Sequence, residues 1–190
     1  MALKTKPLTA RQLQAKKTRS RLIKIGSELV AEHGFDAVTV DDITEACGVS
    51  KGTFYHYFES KSGLIRDIAS QYEDGIQEAV CKSKGLPVSD RLELFAGLWL
   101  ESMNDLSLAL ARQLLANTVL SGDGSMSFLR SALTEILEDA VENGELDNRE
   151  DLNKYVNLYA QLLYGTAVCW CIEGGGFDPA ERASEFPGLL

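Results

Sequence analysis

The stretch VSKGTFYHYFESKSGL, Val49 to Leu64, sets four aromatic rings within five positions beside a glycine and two lysines. Lysines neutralise phosphates, aromatic and hydroxyl tips reach base edges, and a glycine removes the side chain that would hold a helix off a surface. Placed on a helix, Phe54 and Phe58 fall on one side. Gly52, Thr53, His56 and Tyr57 fall opposite, with Lys51 and Tyr55 along the borders. That outward face is small, polar and aromatic, and meets no acid until Glu59. It suits the major groove of DNA, with Lys51 and Lys61 flanking it as salt-sensitive phosphate contacts. The plainer alternative is that all four rings are core and the lysines merely solvated. Against it, helical geometry turns only two of the four rings inward.

The elements that must position this face are also helical. Leu22, Ile25, Leu29 and Val30 form one face of a helix that stops at Gly34. Thr39 caps a second, short helix with Asp41 and Asp42 in its first turn and Val40, Ile43 and Cys47 as its buried stripe. Gly48 and Val49 form a tight turn, and Ser50 caps a third helix reaching Phe58. This is the outline of a helix-turn-helix. Lys16, Lys17, Arg19 and Arg21, at the start of the first helix, extend the positive surface. Ser60 opens a fourth helix with Leu64, Ile65, Ile68, Tyr72, Ile76 and Val80 at helical spacing, ending near Gly85 and Pro87.

Beyond Pro87 the pattern continues through Leu92, Phe95, Leu98 and Trp99, then Leu108, Ala111, Leu114, Leu115 and Thr118. A break at Ser121 to Ser125 precedes a helix marked by Phe128, Leu129, Ala132, Leu133, Ile136, Leu137, Ala140 and Val141. Another runs from about Glu150 to Glu173, stopped by Gly174, Gly175 and Gly176. No segment alternates with period two, so the expected class is all-α with about nine helices. A three-helix DNA-binding head over residues 1–62 precedes a helical body over 63–190.

The net charge of −9 is divided along the 190 residues. Residues 1–66 hold 11 Lys or Arg against 7 Asp or Glu, a net of +4, and residues 67–190 hold 8 against 21, a net of −13. Such asymmetry suggests a head that meets a polyanion and a body that does not. The basic start could also be a transit peptide, but it runs directly into an amphipathic helix of the fold. No apolar run approaches a membrane span and no secretory signal opens the chain, so a cytoplasmic protein without membrane contact is expected, its Cys47, Cys81, Cys169 and Cys171 reduced. No phosphate-loop or nucleophile-elbow motif occurs, and His33 and His56 are too few and too scattered for a metal or catalytic cluster. No enzyme, catalytic residue, metal or cofactor is expected.

The run GFDAVTVDDITEACGVSKGTFYHYFESKSGLI, Gly34 to Ile65, resembles the DNA-binding head of the tetracycline-repressor-like (TetR/AcrR) transcriptional regulators. The likeness rests on Gly34-Phe35, Thr39-Val40, Ile43, Gly48-Val49-Ser50, Gly52-Thr53, Tyr55, Phe58, Lys61 and Leu64. It implies a recognition helix over Lys51 to Tyr57, with Lys51, Gly52 and Thr53 near bases and Tyr55, His56 and Tyr57 on bases or phosphates. Thr39 and Lys61 would contact phosphates. Three positions depart from the pattern. Tyr57 stands where histidine is common, Gly63 where an acid often sits, and Gly26 where alanine is usual. The first would alter base preference; the two glycines would only loosen their helices, by about 1 kcal/mol or less each.

In the helix from Glu150, Leu152, Tyr155, Val156, Tyr159, Leu163 and Trp170 form one stripe, and Leu158, Leu162, Gly165 and Cys169 a second. A single surface-helix face needs only one stripe, so the second is expected to meet a partner subunit, unless the helix is buried wholly within one chain. The resemblance likewise implies a homodimer through the last two helices and a near-palindromic double-stranded DNA operator. Only a short final helix fits the residues after Gly176. The body is expected to hold a pocket for a small-molecule effector, with Phe95, Trp99, Met103, Tyr155, Tyr159 and Trp170 as candidate lining or plain core. The expected function is a ligand-responsive regulator, a repressor released by its effector. Two rivals remain: a thiol sensor using Cys169 or Cys171, whose positions two apart point them to different faces, and a helical module whose basic head binds acidic partners other than DNA.

Overall fold

The computed structural model describes residues 9–121, 125–146 and 152–183. These residues form nine α-helices and no strand: α1 (Ala10–His33), α2 (Val40–Cys47), α3 (Lys51–Tyr57), α4 (Lys61–Lys82), α5 (Val88–Asp105), α6 (Leu108–Ser121), α7 (Ser125–Glu142), α8 (Leu152–Ile172) and α9 (Pro179–Ala183). The chain divides into two compact units, Met1–Ile65 and Arg66–Leu190, so the boundary falls within α4. The centre of the expected Ser121 to Ser125 break and the expected Glu150 start lie outside the described residues.

In the first unit α1 begins twelve residues before Leu22. Thr9 opens it with a capping box: its hydroxyl accepts from the Gln12 N–H, and the Gln12 side chain accepts from the Thr9 N–H at 2.9 Å. Two orphan donors are satisfied at once. Lys16, Lys17, Arg19 and Arg21 therefore lie well inside the helix rather than at its start. The buried face is Leu22, Ile23, Gly26 and Val30, while Ile25 and Leu29 are only half-buried. Expectation and structure differ here because the contact is centred on Gly26, and a glycine carries no apolar signal in the sequence.

α2 opens on Thr39 as expected and buries Ile43, Thr44 and Cys47, with Val40 half-buried. It ends at Gly48, whose left-handed φ of 60° lets the chain turn sharply into α3. The Gly48 N–H donates to the Glu45 carbonyl and the Val49 N–H to the Thr44 carbonyl, so the last carbonyls of α2 are satisfied by the turn itself. The Arg21 guanidinium donates to the Cys47 carbonyl and ties α1 to the same end.

In the second unit α7 packs on α8, and α5 packs on α7, α8 and α9. The core is built from Leu92, Phe95 and Trp99 of α5, Leu129, Leu133 and Ile136 of α7, and Val156, Tyr159, Leu163 and Trp170 of α8. Arg91 is the one buried charge among the described residues, 1% exposed, and its guanidinium donates to Asp139 at 2.9 Å and to the Ile136 carbonyl at 3.5 Å. Lys84 approaches the same Asp139 at 3.5 Å and Glu135 at 3.3 Å. Removing Asp139 would leave Arg91 desolvated without its carboxylate, at a cost of about 3–5 kcal/mol, whereas Asp139 without Arg91 would keep Lys84 and its 23% exposure to water. The Arg112 guanidinium donates twice to the Cys171 carbonyl, at 3.1 and 2.7 Å, and closes the end of α8.

Candidate nucleic-acid interface

Ser50 starts α3 by accepting from the Thr53 N–H at 3.2 Å, and its hydroxyl lies 3.0 Å from that of Thr53. Phe54 is fully buried and Phe58 nearly so, their centroids 5.3 Å apart. These two rings fasten a seven-residue helix that could not hold its shape alone in water. With that side anchored, Gly52, Tyr55 and His56 are exposed, while Thr53 and Tyr57 are half-buried. Tyr55, expected along a border, is 56% exposed and projects further than Tyr57. Tyr57 instead packs against His56, at 5.0 Å between centroids, and Phe58, at 6.3 Å. The face is thus an open backbone at Gly52 between polar and aromatic tips.

The charged and hydroxyl groups around that face are already engaged. Lys51 Nζ lies 2.7 Å from Asp41 Oδ1, joining the first turn of α3 to the first turn of α2. The Thr39 hydroxyl donates to Asp42 Oδ2 at 2.7 Å, and the Thr39 backbone N–H donates to the same oxygen at 2.7 Å. These bonds from Thr39 hold the Asp42 carboxyl below its ordinary range. Lys61 turns inward: its ammonium donates to the carbonyls of Phe35 and of Val38, the latter at 2.5 Å, and sits 4.0 Å from the centroid of the Phe35 ring. It therefore fastens the α1–α2 connection in this conformation instead of extending toward solvent. No sequence pattern marked it, because both acceptors are backbone atoms more than twenty positions away.

In the second unit Phe95, Trp99, Met103, Tyr159 and Trp170 are buried core, and Tyr155 is half-buried. The Tyr159 hydroxyl donates to the Leu92 carbonyl at 3.4 Å, and burial, with Glu93 nearby, pushes its phenol up to about 12. None of the six lines the cleft of about 730 Å³ between α5 and α9. That cleft is bounded by Asp90, Glu93, Leu94, Gly97, Leu98 and Glu101 of α5 and by residues about Asp178 and Glu181. The α5 members recur every three or four positions, a periodic acidic stripe that the sequence does display.

On α8 the second stripe faces solvent in the single chain. Leu158 is 52% exposed, Gly165 and Cys169 are exposed and Leu162 is half-buried. Ile172, 75% exposed, continues the same face. Cys171 is buried, and burial raises its thiol despite the nearby Arg112, so it stays protonated at neutral pH. α9 packs on α5 and α8. Among the described residues no three His, Cys, Asp or Glu are placed to hold a metal, and no helix is long and apolar enough to cross a membrane.

Comparison with known proteins adds independent findings. Residues 22–68 match the model of the bacterial regulatory proteins of the tetR family. The chain is 36% identical over 63 residues to the HTH-type transcriptional regulator UidR of Escherichia coli, a match that spans only 33% of this chain and 32% of that one. It is 30% identical over 187 residues to the HTH-type transcriptional repressor KstR2 of Rhodococcus jostii, covering 90% of this chain and 88% of that repressor. The crystal structure of Thermus thermophilus FadR, described as a TetR family transcriptional repressor in complex with lauroyl-CoA, shares the fold with a TM-score of 0.75 at 24% identity, over 90% of this chain and 92% of that one. A fatty acid degradation regulator FadR from Bacillus halodurans gives 0.73 at 19% identity, over 97% and 96%.

Proposed function

Because the chain belongs to the TetR family of transcriptional regulators, we propose that it is a repressor that binds a near-palindromic operator as a homodimer and leaves it when a small molecule binds the body. The observation that carries this is the division of α3, with Phe54 and Phe58 sealed behind while Gly52, Tyr55 and His56 face outward. Thr39, Ser50, Lys51, Thr53, Tyr57 and Lys61 complete the DNA-contacting set, and the head and body divide their work near residue 62.

The exposed apolar face Leu158, Leu162, Gly165, Cys169 and Ile172 supports dimerisation through α8. An apolar stripe of that length on a monomer's surface is best explained by a partner that covers it. α8 would supply this contact together with the last helix, α9, which is described over Pro179–Ala183 and packs on α5 and α8. Two heads related by the two-fold axis would meet successive major grooves, about 34 Å apart. An effector releases DNA by favouring the conformation in which that spacing is lost. Its apolar part would lodge among Phe95, Trp99, Met103, Tyr155, Tyr159 and Trp170. A ligand screen sensibly begins with acyl-CoA thioesters, since FadR of Thermus thermophilus was crystallised with lauroyl-CoA.

The test is selection of bound fragments from the source genome, followed by titration of the tightest fragment at several salt concentrations. Tyr55→Ala should fold normally and lose sequence selectivity. Lys51→Ala should flatten the slope of log affinity against log salt by about 0.9, one phosphate contact. Equal affinity of wild type and both variants for any polyanion would instead favour a head that binds acidic partners in general.

A further inference from the structure

The two carboxylates in the first turn of α2 lie against two of the groups assigned to DNA. Asp42 holds Thr39 through a capping box within one helix turn, which is ordinary helix chemistry. Asp41 is different, because it reaches across the motif to Lys51 at 2.7 Å, a contact between separate helices. Both side chains remain more than half exposed, at 62% and 58%, so the pair lies on the open surface and is accessible to an approaching phosphate. α2 has no basic residue, and no other acid precedes Glu59 on the α3 side of the turn. Asp42 and Glu45 of α2 are exposed as well, but Asp41 is the one that is paired with Lys51 of the recognition helix.

Resting on the DNA-binding reading above, we propose that Asp41 is a positioning residue for Lys51: it holds the ammonium in the free protein and gives it up to a phosphate when α3 seats fully in its operator. An exposed ion pair is a weak restraint, so it is easily exchanged when several contacts form together. On random sequence Tyr55, His56 and Thr53 find no matching base edges, α3 stands off, and Lys51 stays on Asp41. On the operator those contacts draw the start of α3 to the backbone, and a phosphate replaces the carboxylate as the partner of Lys51. The operator complex bears the cost of breaking the pair, and a complex that leaves Lys51 on Asp41 forgoes the phosphate contact, so the restraint tempers affinity for both.

The experiment compares the full chain with Asp41→Asn and Asp41→Ser, both of which keep a side chain suited to a helix start. Probes are the tightest genomic fragment from the selection and a random duplex of equal length, titrated across salt. In both variants affinity for the operator at low salt should rise about two- to fivefold, and the salt slope on the random duplex should steepen by about 0.9 as Lys51 becomes free to meet a phosphate. Affinity for the random duplex should rise by no more than that for the operator, because only the operator complex had to break the pair. In a Lys51→Ala background Asp41→Asn should have no further effect on either duplex. Unchanged operator affinity overturns the proposal. So does an equal rise without Lys51, which would mean that Asp41 repels DNA by its own charge. If the wild type binds no duplex at all, the DNA-binding reading falls with it, whereas a selective wild type with silent Asp41 variants sinks this proposal alone. Melting temperatures check that each variant is folded.

Discussion

Leu64 of α4 fills the space that a side chain on Gly26 of α1 would occupy: a Cβ at Gly26 would lie 2.4 Å from Leu64 Cδ2 and 3.7 Å from Ile43 Cδ1. Gly26 is buried and Leu64 fully so, which leaves Leu64 little room to move aside. The expectation that this glycine merely loosens its helix is therefore corrected. It is the hollow into which α4 packs within the first unit.

Two effects compete in Gly26→Ala. Alanine improves α1 by up to about 1 kcal/mol, and overpacking a closed core costs about 1–3 kcal/mol. Because Leu64 is sealed on all sides, the steric loss should prevail, with a net destabilisation of about 1 kcal/mol in urea unfolding. Combining it with Leu64→Val, which removes the clashing atom, should cost less than the two changes added separately. Stability at or above wild type in the single variant would show that Leu64 turns away freely.

For the proposed two-fold face on α8, Leu158→Glu is the sharper probe. A carboxylate at a half-exposed position is harmless in a single chain. Buried without a partner at an interface it costs about 3–5 kcal/mol, which weakens the dimer at least about a hundredfold. Light scattering after size exclusion should report monomer at micromolar concentration with unchanged helical content. A persistent dimer would place the contact elsewhere.

Tyr159 gives a pH dependence with a definite sign. Its phenol has an ordinary value near 10 and is pushed up to about 12 in the fold, chiefly by burial. The folded state therefore holds the proton more tightly than the unfolded state. The resulting stability is fully present below about pH 10 and is lost as pH rises toward 12. Melting temperature should fall more steeply over that window in wild type than in Tyr159→Phe. Parallel curves would mean that the hydroxyl bonded to the Leu92 carbonyl is reached by water.

Most of the fold was legible in the sequence because its signals are local. Helical periodicity, the Thr39 and Ser50 caps, the Gly48 turn and the inward pair Phe54 and Phe58 depend on residues within a few positions of one another. So does the division of α8 into a buried and an exposed stripe, since a helix of known pitch fixes which residues share a face. Other features were not determined there. Leu64 filling the hollow at Gly26, Lys61 bound to the Phe35 and Val38 carbonyls, Asp41 holding Lys51 and Arg91 buried on Asp139 join residues ten to forty-eight positions apart. The acidic α5 stripe was written in the sequence, but only the packing of α9 beside it made a cleft. Sequence alone settled which residues each helix turns toward the same side. Tertiary packing decided which of those faces find a partner, because long charged side chains and small residues take their roles from neighbours that only the folded chain brings near.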